Sequence, residues 1–216
     1  MVKNKPMSKK LLKYLFVIAI IGLLAYKSVY FEKLDKVKAA RTGQFDAAGF
    51  AGKLWKEQLP AQISKAGDLA ALFSSLRSQP DQAFATQGHS IGITNTASFL
   101  VHSTGQVTAI GEDDITVAVP TGDSSLVVTI ATEYVYGNTI RDASGLVDIR
   151  DFTNTMDLNA ISEELNKTVR SVVLPLFKTV VQKGDRVEFT GAVELNREHL
   201  KLSEPELLPV QLKIIQ

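Results

Sequence analysis

The chain has 216 residues, 45% of them hydrophobic, with 24 Lys and Arg against 23 Asp and Glu and no cysteine. This length fits one ordinary domain with an appendage or two small domains, and the missing cysteines exclude disulfides, thiol catalysis and thiolate metal sites. Residues 1–27 hold six Lys and no acidic residue, so residues 28–216 carry 18 basic and 23 acidic residues, a net charge of −5. That balance argues against a nucleic-acid partner.

An apolar run lies near the N-terminus. Residues 14–26 (YLFVIAIIGLLAY) carry no charge and follow five lysines. As a helix this run rises only about 20 Å, so apolar flanking residues must extend it across a hydrocarbon core of about 30 Å. We therefore predict a cytoplasmic tail over residues 1–10 and a transmembrane signal anchor over residues 11–31. The alternative is a cleaved signal peptide, but bulky Leu23 stands where a small residue should precede a cut after Ala25.

The orientation of this anchor follows from size. Five basic residues from Lys27 to Arg41 balance the five upstream lysines, so the positive-inside count is a tie. The tail before the anchor is short, and everything foldable comes after it. The sequence thus predicts a single-pass protein of the bacterial inner membrane with its soluble domain in the periplasm.

A stalk and a small helical subdomain are predicted over residues 32–96. Asp46 is a candidate helix N-cap, and Pro60 stands where a second helix would begin. The apolar stripe of that second helix is Ile63, Ala66, Leu69, Phe73 and Leu76. A third, short helix is expected between Pro80 and Gly88. A unit of this size is too small to fold alone, so it must pack on the domain that follows.

From Ser98 onward the apolar period changes from 3.6 to 2, which indicates strands. The predicted elements are strands over residues 98–110, 115–119 and 126–131, a helix capped by Asp157 that Pro175 kinks or ends, a strand over 186–195, and closing strands at Leu200 and Leu202 and over 207–215. Three meandering strands, one helix and further strands is the order of the OB-fold. The fold class predicted for the chain is mainly β with α: a membrane helix, a small helical subdomain and an OB-like antiparallel barrel over residues 97–216.

Several segments of the chain resemble a known family. In chain order they are Phe45-Asp46, Trp55, Leu59-Pro60, residues 137–145 (GNTIRDASG), Asp151-Phe152, Leu165-Asn166 and residues 184–192 (GDRVEFTGA). Together they resemble a family of predicted periplasmic lipoproteins of unknown function, over roughly residues 10–214. The resemblance implies an envelope location and, since members are often encoded beside sugar ABC-transport systems, an accessory role in transport. The chain departs from the family in lacking the cysteine that a lipid anchor requires, which favours the protein anchor.

One motif suggests catalysis. Residues 88–92 (GHSIG) match the G-x-S-x-G nucleophile elbow of serine hydrolases. That elbow joins a strand to a helix, whereas here helix-like sequence precedes the motif and strand-like sequence follows it. The three histidines also lack the spacing of metal ligands. We therefore predict no enzyme activity, no metal and no cofactor, with a serine hydrolase as a remote alternative.

A loop region rich in paired charges is the candidate binding site. Its members, with one aromatic residue, are Asn138, Arg141, Asp142, Asp148, Arg150, Asp151 and Trp55. The neighbouring pairs Arg141-Asp142 and Arg150-Asp151 supply guanidinium and carboxylate groups, which hold sugar hydroxyls or small anions through directional hydrogen bonds. Trp55 or Tyr136 could stack on a sugar face. The alternative is that the ion pairs only fix the loop and that Trp55 belongs to the core.

The sequence leaves three functions open. The first is a non-enzymatic, membrane-anchored envelope module that contacts ABC-transporter components or their substrate-binding protein. The second is a saccharide-binding or small-anion-binding domain, and the third is a serine hydrolase.

Overall fold

The structure is a computed structural model that describes residues 10, 13, 14, 20, 45–92, 94–122 and 124–215. The chain divides into two units, Met1–Phe45 and Asp46–Gln216. The predicted cytoplasmic tail and signal anchor, residues 1–10 and 11–31, fall almost wholly outside the described residues, as does the stalk. Among the residues that are described, no helix has both the length and the hydropathy needed to cross a bilayer.

The helices of the second unit precede the sheet and fill the long connection inside it. They are α1 (Ala47–Lys53), continuing through a π-helical turn (Leu54–Gln58) into α2 (Leu59–Ile63), then α3 (Leu69–Ser78), α4 (Pro80–Gln87), α5 (Thr139–Ala143), a 3-10 turn (Ile149–Asp151), and α6 (Thr155–Thr168), continuing through a π-helical turn (Val169–Val173) into α7 (Leu174–Val180). The predicted cap at Asp46 is confirmed, because its Oδ1 accepts a hydrogen bond of 2.9 Å from the Gly49 amide.

Within the described residues, six strands form one sheet. They are β1 (Gly67–Asp68), β2 (Thr96–Ile110), β3 (Asp114–Thr121), β4 (Ser124–Ala131), β5 (Arg186–Asn196) and β6 (Glu206–Ile215). Strands β2, β3 and β4 form an antiparallel meander, and β5 pairs antiparallel with both β6 and β2. Because β4 also pairs with β6, the strands β2, β3, β4, β6 and β5 form a closed ring in which each strand pairs with the next and β5 pairs with β2.

Strand β2 passes from one partner to another beside Gly105. Up to Gln106 it pairs with β5, and from Gln106 onward it pairs with β3. A Cβ atom at Gly105 would lie 2.5 Å from Val117 Cγ1 and 2.6 Å from the Ala118 carbonyl oxygen. Glycine is therefore needed for β3 to approach this closely. The prediction of one long strand is confirmed, but the break predicted at Gly105 is not seen, since Gly105 stays paired with Val187 of β5.

The apolar core lies against the inner face of the sheet. Alternate residues of β3 and β4 are buried, and Val117, Val128 and Ile130 are among the most deeply buried side chains. Helix α3 packs on β2 and β3 and adds its buried stripe to the same core. The N-terminal helices thus pack on the sheet, as their small size required.

A second apolar layer lies outside this core. Helix α1 packs on α6, and α5 packs on β2 and β5. The buried side chains of this layer include Leu54, Ile140, Leu158, Ile161 and Leu165. The layer holds α5 and the start of α6 at fixed positions beside the sheet.

The helical predictions need two corrections, and one of two predicted alternatives at Pro175 is excluded. The helix expected from Pro60 through Leu76 is two helices, because Gly67 and Asp68 interrupt it and pair with β2. The cap of α6 is Asn154, whose Oδ1 accepts from the Asp157 amide at 3.0 Å, so Asp157 lies in the first turn. Pro175 does not end the helix.

The reason is the π-helical turn before Pro175. In that turn the Leu174 amide bonds to the Val169 carbonyl, five residues back. A wider turn removes the clash between a proline ring and the carbonyl four residues earlier, so the helix continues to Val180.

The strand predictions need two corrections. The sheet is not wholly antiparallel, since β4 and β6 run parallel where Thr129 and Ile130 meet Glu206 and Leu207, and β1 runs parallel to β2. Leu200 and Leu202 form no strand: they lie in irregular backbone, and their side chains pack against the core.

Candidate functional site

A polar cleft of about 610 Å³ lies beside α5. Its walls come from the segment after α4, from β2 and β5, and from α5 and the first turn of α6. The polar lining residues are His89, Ser90, Thr94, Thr96, Ser98, Asn138, Thr139, Arg141, Asp142, Thr155, Asn159 and Glu194. Ile91, Ile149 and Leu158 supply apolar lining, so the cleft offers hydrogen-bonding groups beside an apolar wall of similar extent.

Helix α5 is held in place at both ends. At its start, Asn166 of α6 is buried and donates from Nδ2 to the Gly137 carbonyl at 2.8 Å. At its end, Gly145 has a φ of 63°, the left-handed conformation that terminates helices. The imidazole of His89 packs over Gly145 so closely that a Cβ there would lie 2.9 Å from His89 Cε1. Residues 137–145, one of the segments that resemble the family, therefore contain a short helix held at both ends.

Arg141 and Asp142 form the buried ion pair of the site. The guanidinium is only 4% exposed; its Nε and Nη2 each lie 2.7 Å from Asp142 Oδ1, and Nη1 donates to the Leu158 carbonyl at 3.1 Å. Burial raises the pKa of the Asp142 carboxyl, and the neighbouring Arg141 charge opposes that rise. The arrangement ties α5 to α6 and uses most of the guanidinium's donors.

Two carboxylates, Glu194 and Asp142, line the cleft. Glu194 projects from β5 into the cleft, where Thr139 Oγ1 donates to its Oε2 at 3.3 Å. Asp142 faces the same cleft. Of the Lys and Arg side chains that the structure describes, only Arg141 lines it. The cleft therefore presents two carboxylates and one guanidinium that is already paired.

The second predicted charge pair lies elsewhere and has a different partner. Arg150 bonds to Asp148 rather than to Asp151: Nε donates to both Asp148 oxygens at 3.0 Å, and the Arg150 amide donates at 2.9 Å. These hydrogen bonds lower the pKa of Asp148 to about 2. The correction follows from the 3-10 turn, in which Asp148 is the N-cap and so lies next to the Arg150 amide. Arg150 is 85% exposed.

The structure therefore divides the predicted site residues into three groups. Asn138, Arg141 and Asp142 line the large cleft. Asp148 and Arg150 line an adjoining cleft of about 370 Å³, which shares five lining residues with the first: His89, Ser90, Ile91, Asp142 and Ile149. Asp151, exposed on the 3-10 turn, and Trp55, half-buried on the first π-helical turn, line neither cleft.

His89, Thr139 and Glu194 are cleft residues that sequence reasoning did not assign to binding. The His89 amide donates to the Ser98 carbonyl and the Ser98 amide to the His89 carbonyl, both at 2.8 Å, so the GHSIG segment runs alongside β2. The alternation of β5 was the available signal for Glu194, since it places this residue opposite the inward-facing Val187 and Val193.

Comparisons with known proteins address the family and the fold. A family model described as predicted periplasmic lipoprotein (DUF2291) matches residues 19–213. The crystal structure of an OB-fold protein from Thermotoga maritima MSB8 is similar to this one, with a TM-score of 0.69 and 24% sequence identity; the match covers 79% of this chain and 99% of that chain. No curated protein matches the chain significantly. The structural likeness supports the predicted OB-like strand order, and function must be argued from the site.

Proposed function

The chain belongs to the family of predicted periplasmic lipoproteins (DUF2291), and we propose that it is a non-catalytic binding module of the bacterial envelope that assists solute uptake. Its ligand is a small polyhydroxylated solute, such as a saccharide, held in the cleft beside α5. The observation that carries this proposal is the Glu194 carboxylate: Arg141 is paired with Asp142, so no lysine or arginine among the described lining residues neutralises Glu194.

The chemistry of the lining favours a sugar over an anion. Sugar hydroxyls donate to carboxylates, and the side chains of Asn138 and Thr139 offer further hydrogen bonds. An anion would meet the uncompensated charge of Glu194 and find Arg141 already paired with Asp142. The volume of about 610 Å³ lies within the range of small-molecule sites, about 300 to 1,000 Å³.

The surroundings of Ser90 support a non-catalytic role. The GHSIG segment lies between helix α4 and strand β2, whereas a nucleophile elbow joins a strand to a helix. Among the hydrogen bonds of the described residues, none joins the Ser90 hydroxyl to an imidazole. A serine without a base has no means of activation.

The proposal is tested by measuring ligand affinity by calorimetry and ligand-induced shifts of the melting temperature. The panel contains neutral sugars and polyols, with phosphate and sulfate as anionic comparisons. Glu194→Gln removes a cleft carboxylate, and Glu188→Gln is the matched control, because Glu188 is exposed on the same strand and lines no part of the cleft. We expect a sugar to bind, and Glu194→Gln to weaken its binding about tenfold or more, the loss of one charge-assisted hydrogen bond. Binding of the anions alone, or equal effects of both variants, would overturn the proposal.

The accessory role requires a protein partner, which we propose to be a transporter component or its substrate-binding protein. An exposed aromatic pair supports such a contact: Tyr134 and Tyr136 are each 60% exposed with ring centroids 6.5 Å apart. The Arg170 guanidinium lies 4.8 Å from the centroid of the Tyr136 ring. Tyrosine and arginine are the residue types that dominate binding energy at protein interfaces.

A pulldown from detergent-solubilised membranes of the native host tests this partner. The Tyr134→Ala, Tyr136→Ala double variant should lose the captured protein. Ile110→Ala, which alters an exposed apolar side chain at the end of β2, should retain it. Capture of the same proteins by all three forms would reject the tyrosine pair as the contact. This result is independent of whether the cleft binds sugar.

A further inference from the structure

An exposed aliphatic stripe runs along the last helix of the long connection. Val172, Leu176 and Val180 follow one another at intervals of four residues and are 58%, 77% and 58% exposed. They form one wall of a groove of about 350 Å³, whose other wall is the outer part of β6 with Leu212 and Ile214. Four-residue spacing puts these side chains on one side of the helix, so the structure leaves a continuous apolar face open.

The charges around this stripe differ in sign from those of the rest of the domain. Residues 165–184 contain Lys167, Arg170, Lys178 and Lys183 and no acidic residue, whereas the remainder of residues 28–216 has 14 basic and 23 acidic residues. Lys178 pairs with Glu133 at 3.3 Å, an exposed pair that exchanges readily for another anion. Lys167 likewise forms an exposed pair, with Glu164 at 3.1 Å, so four basic residues accompany the stripe along the chain and two of them are in exchangeable pairs.

We propose that this stripe, Val172, Leu176 and Val180, docks on the surface of an anionic lipid bilayer. Aliphatic side chains flanked by lysines are what an interfacial helix uses, since the apolar groups enter the acyl boundary while the ammonium groups meet lipid phosphates. The family is one of predicted periplasmic lipoproteins, and the signal anchor predicted for this chain, which has no cysteine for a lipid, would likewise hold it at a membrane. A protein held there needs only weak further binding to lie against the surface, because its effective concentration is high.

Two other occupants fit the stripe less well. A second copy of the chain packed across a twofold axis would bring the lysine rims of both copies together, and like charges oppose such an interface. A different protein partner would be expected to meet aromatic residues and arginine, and the stripe itself consists of valine and leucine.

The absence of cysteine from the sequence makes a direct test simple, because a single introduced cysteine can carry a fluorophore. The full chain carrying Leu176→Cys, labelled with an environment-sensitive dye, is reconstituted into vesicles of phosphatidylethanolamine and phosphatidylglycerol. A fraction of the lipid carries a nitroxide quencher just below the headgroup. Ser171→Cys is the matched control, since Ser171 is exposed five residues earlier on a different side of the same helix.

We expect the label at Leu176 to shift to shorter wavelength and to lose about half or more of its emission to the nitroxide lipid, while the label at Ser171 changes little. Replacing phosphatidylglycerol by phosphatidylcholine should reduce that quenching. Adding Val180→Asp to the labelled Leu176→Cys protein should reduce it as well. Failure of the protein to float with the vesicles, or equal responses at the two positions, would overturn the proposal. A shift to shorter wavelength at Leu176 without quenching by the nitroxide lipid, increasing with the ratio of protein to lipid, would show that a second copy of the chain covers the stripe. That result would also overturn the proposal.

Discussion

Arg141→Ala should destabilise the domain strongly. The substitution removes a guanidinium that is 4% exposed, its two contacts of 2.7 Å to Asp142 and its hydrogen bond to the Leu158 carbonyl. Asp142 then stays in surroundings that already raise its pKa, without the positive charge that opposes the rise. Breaking a buried pair from one side costs about 3–5 kcal/mol. Because Asp142 keeps some exposure, we expect about 2–4 kcal/mol in the free energy of unfolding, or roughly 5–15 °C in Tm for a chain of this size.

Calorimetry or thermal circular dichroism at pH 7 measures this effect. Arg150→Ala is the matched control, because it breaks an ion pair whose members are exposed to solvent, and we expect its Tm to fall much less than that of Arg141→Ala. The double variant Arg141→Met, Asp142→Asn should recover part of the loss, since it removes the stranded charge as well. A Tm for Arg141→Ala within about 1 °C of the parent would refute the structural role and would favour binding as the function of the pair.

Two further predictions concern the same region. The Asp148 carboxyl should titrate near pH 2 by carbon-detected NMR, and in Arg150→Ala its pKa should rise towards the usual value near 3.8. Because the pKa of Asp148 is lowered in the folded state, the stability that this residue contributes is present above about pH 4 and is lost as the pH falls towards 2. An unshifted Asp148 pKa in the parent would contradict this prediction. Gly145→Ala should lower the free energy of unfolding by about 1–3 kcal/mol, since alanine is strained at a φ of 63° and its Cβ would lie 2.9 Å from the His89 ring. An unchanged denaturant midpoint would show that the His89 ring moves aside without loss of stability.

Local patterns predicted the sheet well. The strands of the meander and β5 show clear alternation of apolar and polar residues, and the turns between β2, β3 and β4 are short, so their order follows from the sequence. Helix α5 was missed because it is only one turn long and its buried Arg141 looks like a surface residue in sequence. Strand β1 was missed because two residues carry no periodicity, and they pair only because β2 lies beside them.

The candidate site was predicted only in part, because sequence patterns show which residues are close along the chain but not which distant residues meet. Asn138, Arg141 and Asp142 are close in sequence and come together in one turn of helix. Glu194 reaches them only because β5 packs against α5, and its contact with Thr139 spans 55 residues of chain. The partner of Arg150 was predicted wrongly because neighbours in sequence were assumed to pair, whereas the 3-10 turn presents Asp148 instead.

The pairing of β2 with β5 has a consequence for how the chain acquires its fold. Partners in this ladder are separated by 80 to 100 residues, from Gln106 with Arg186 to Thr96 with Asn196. A chain that is synthesised or exported N-terminus first can form the β2–β3–β4 meander early. One edge of β2 then has no partner until the residues of β5 become available. Strand edges of this kind recruit other chains, and pairings between distant segments form slowly. Secretion and refolding of this protein should therefore be most vulnerable to aggregation in the interval before β5 is delivered, and a chaperone that shields the edge of β2 would act during that interval.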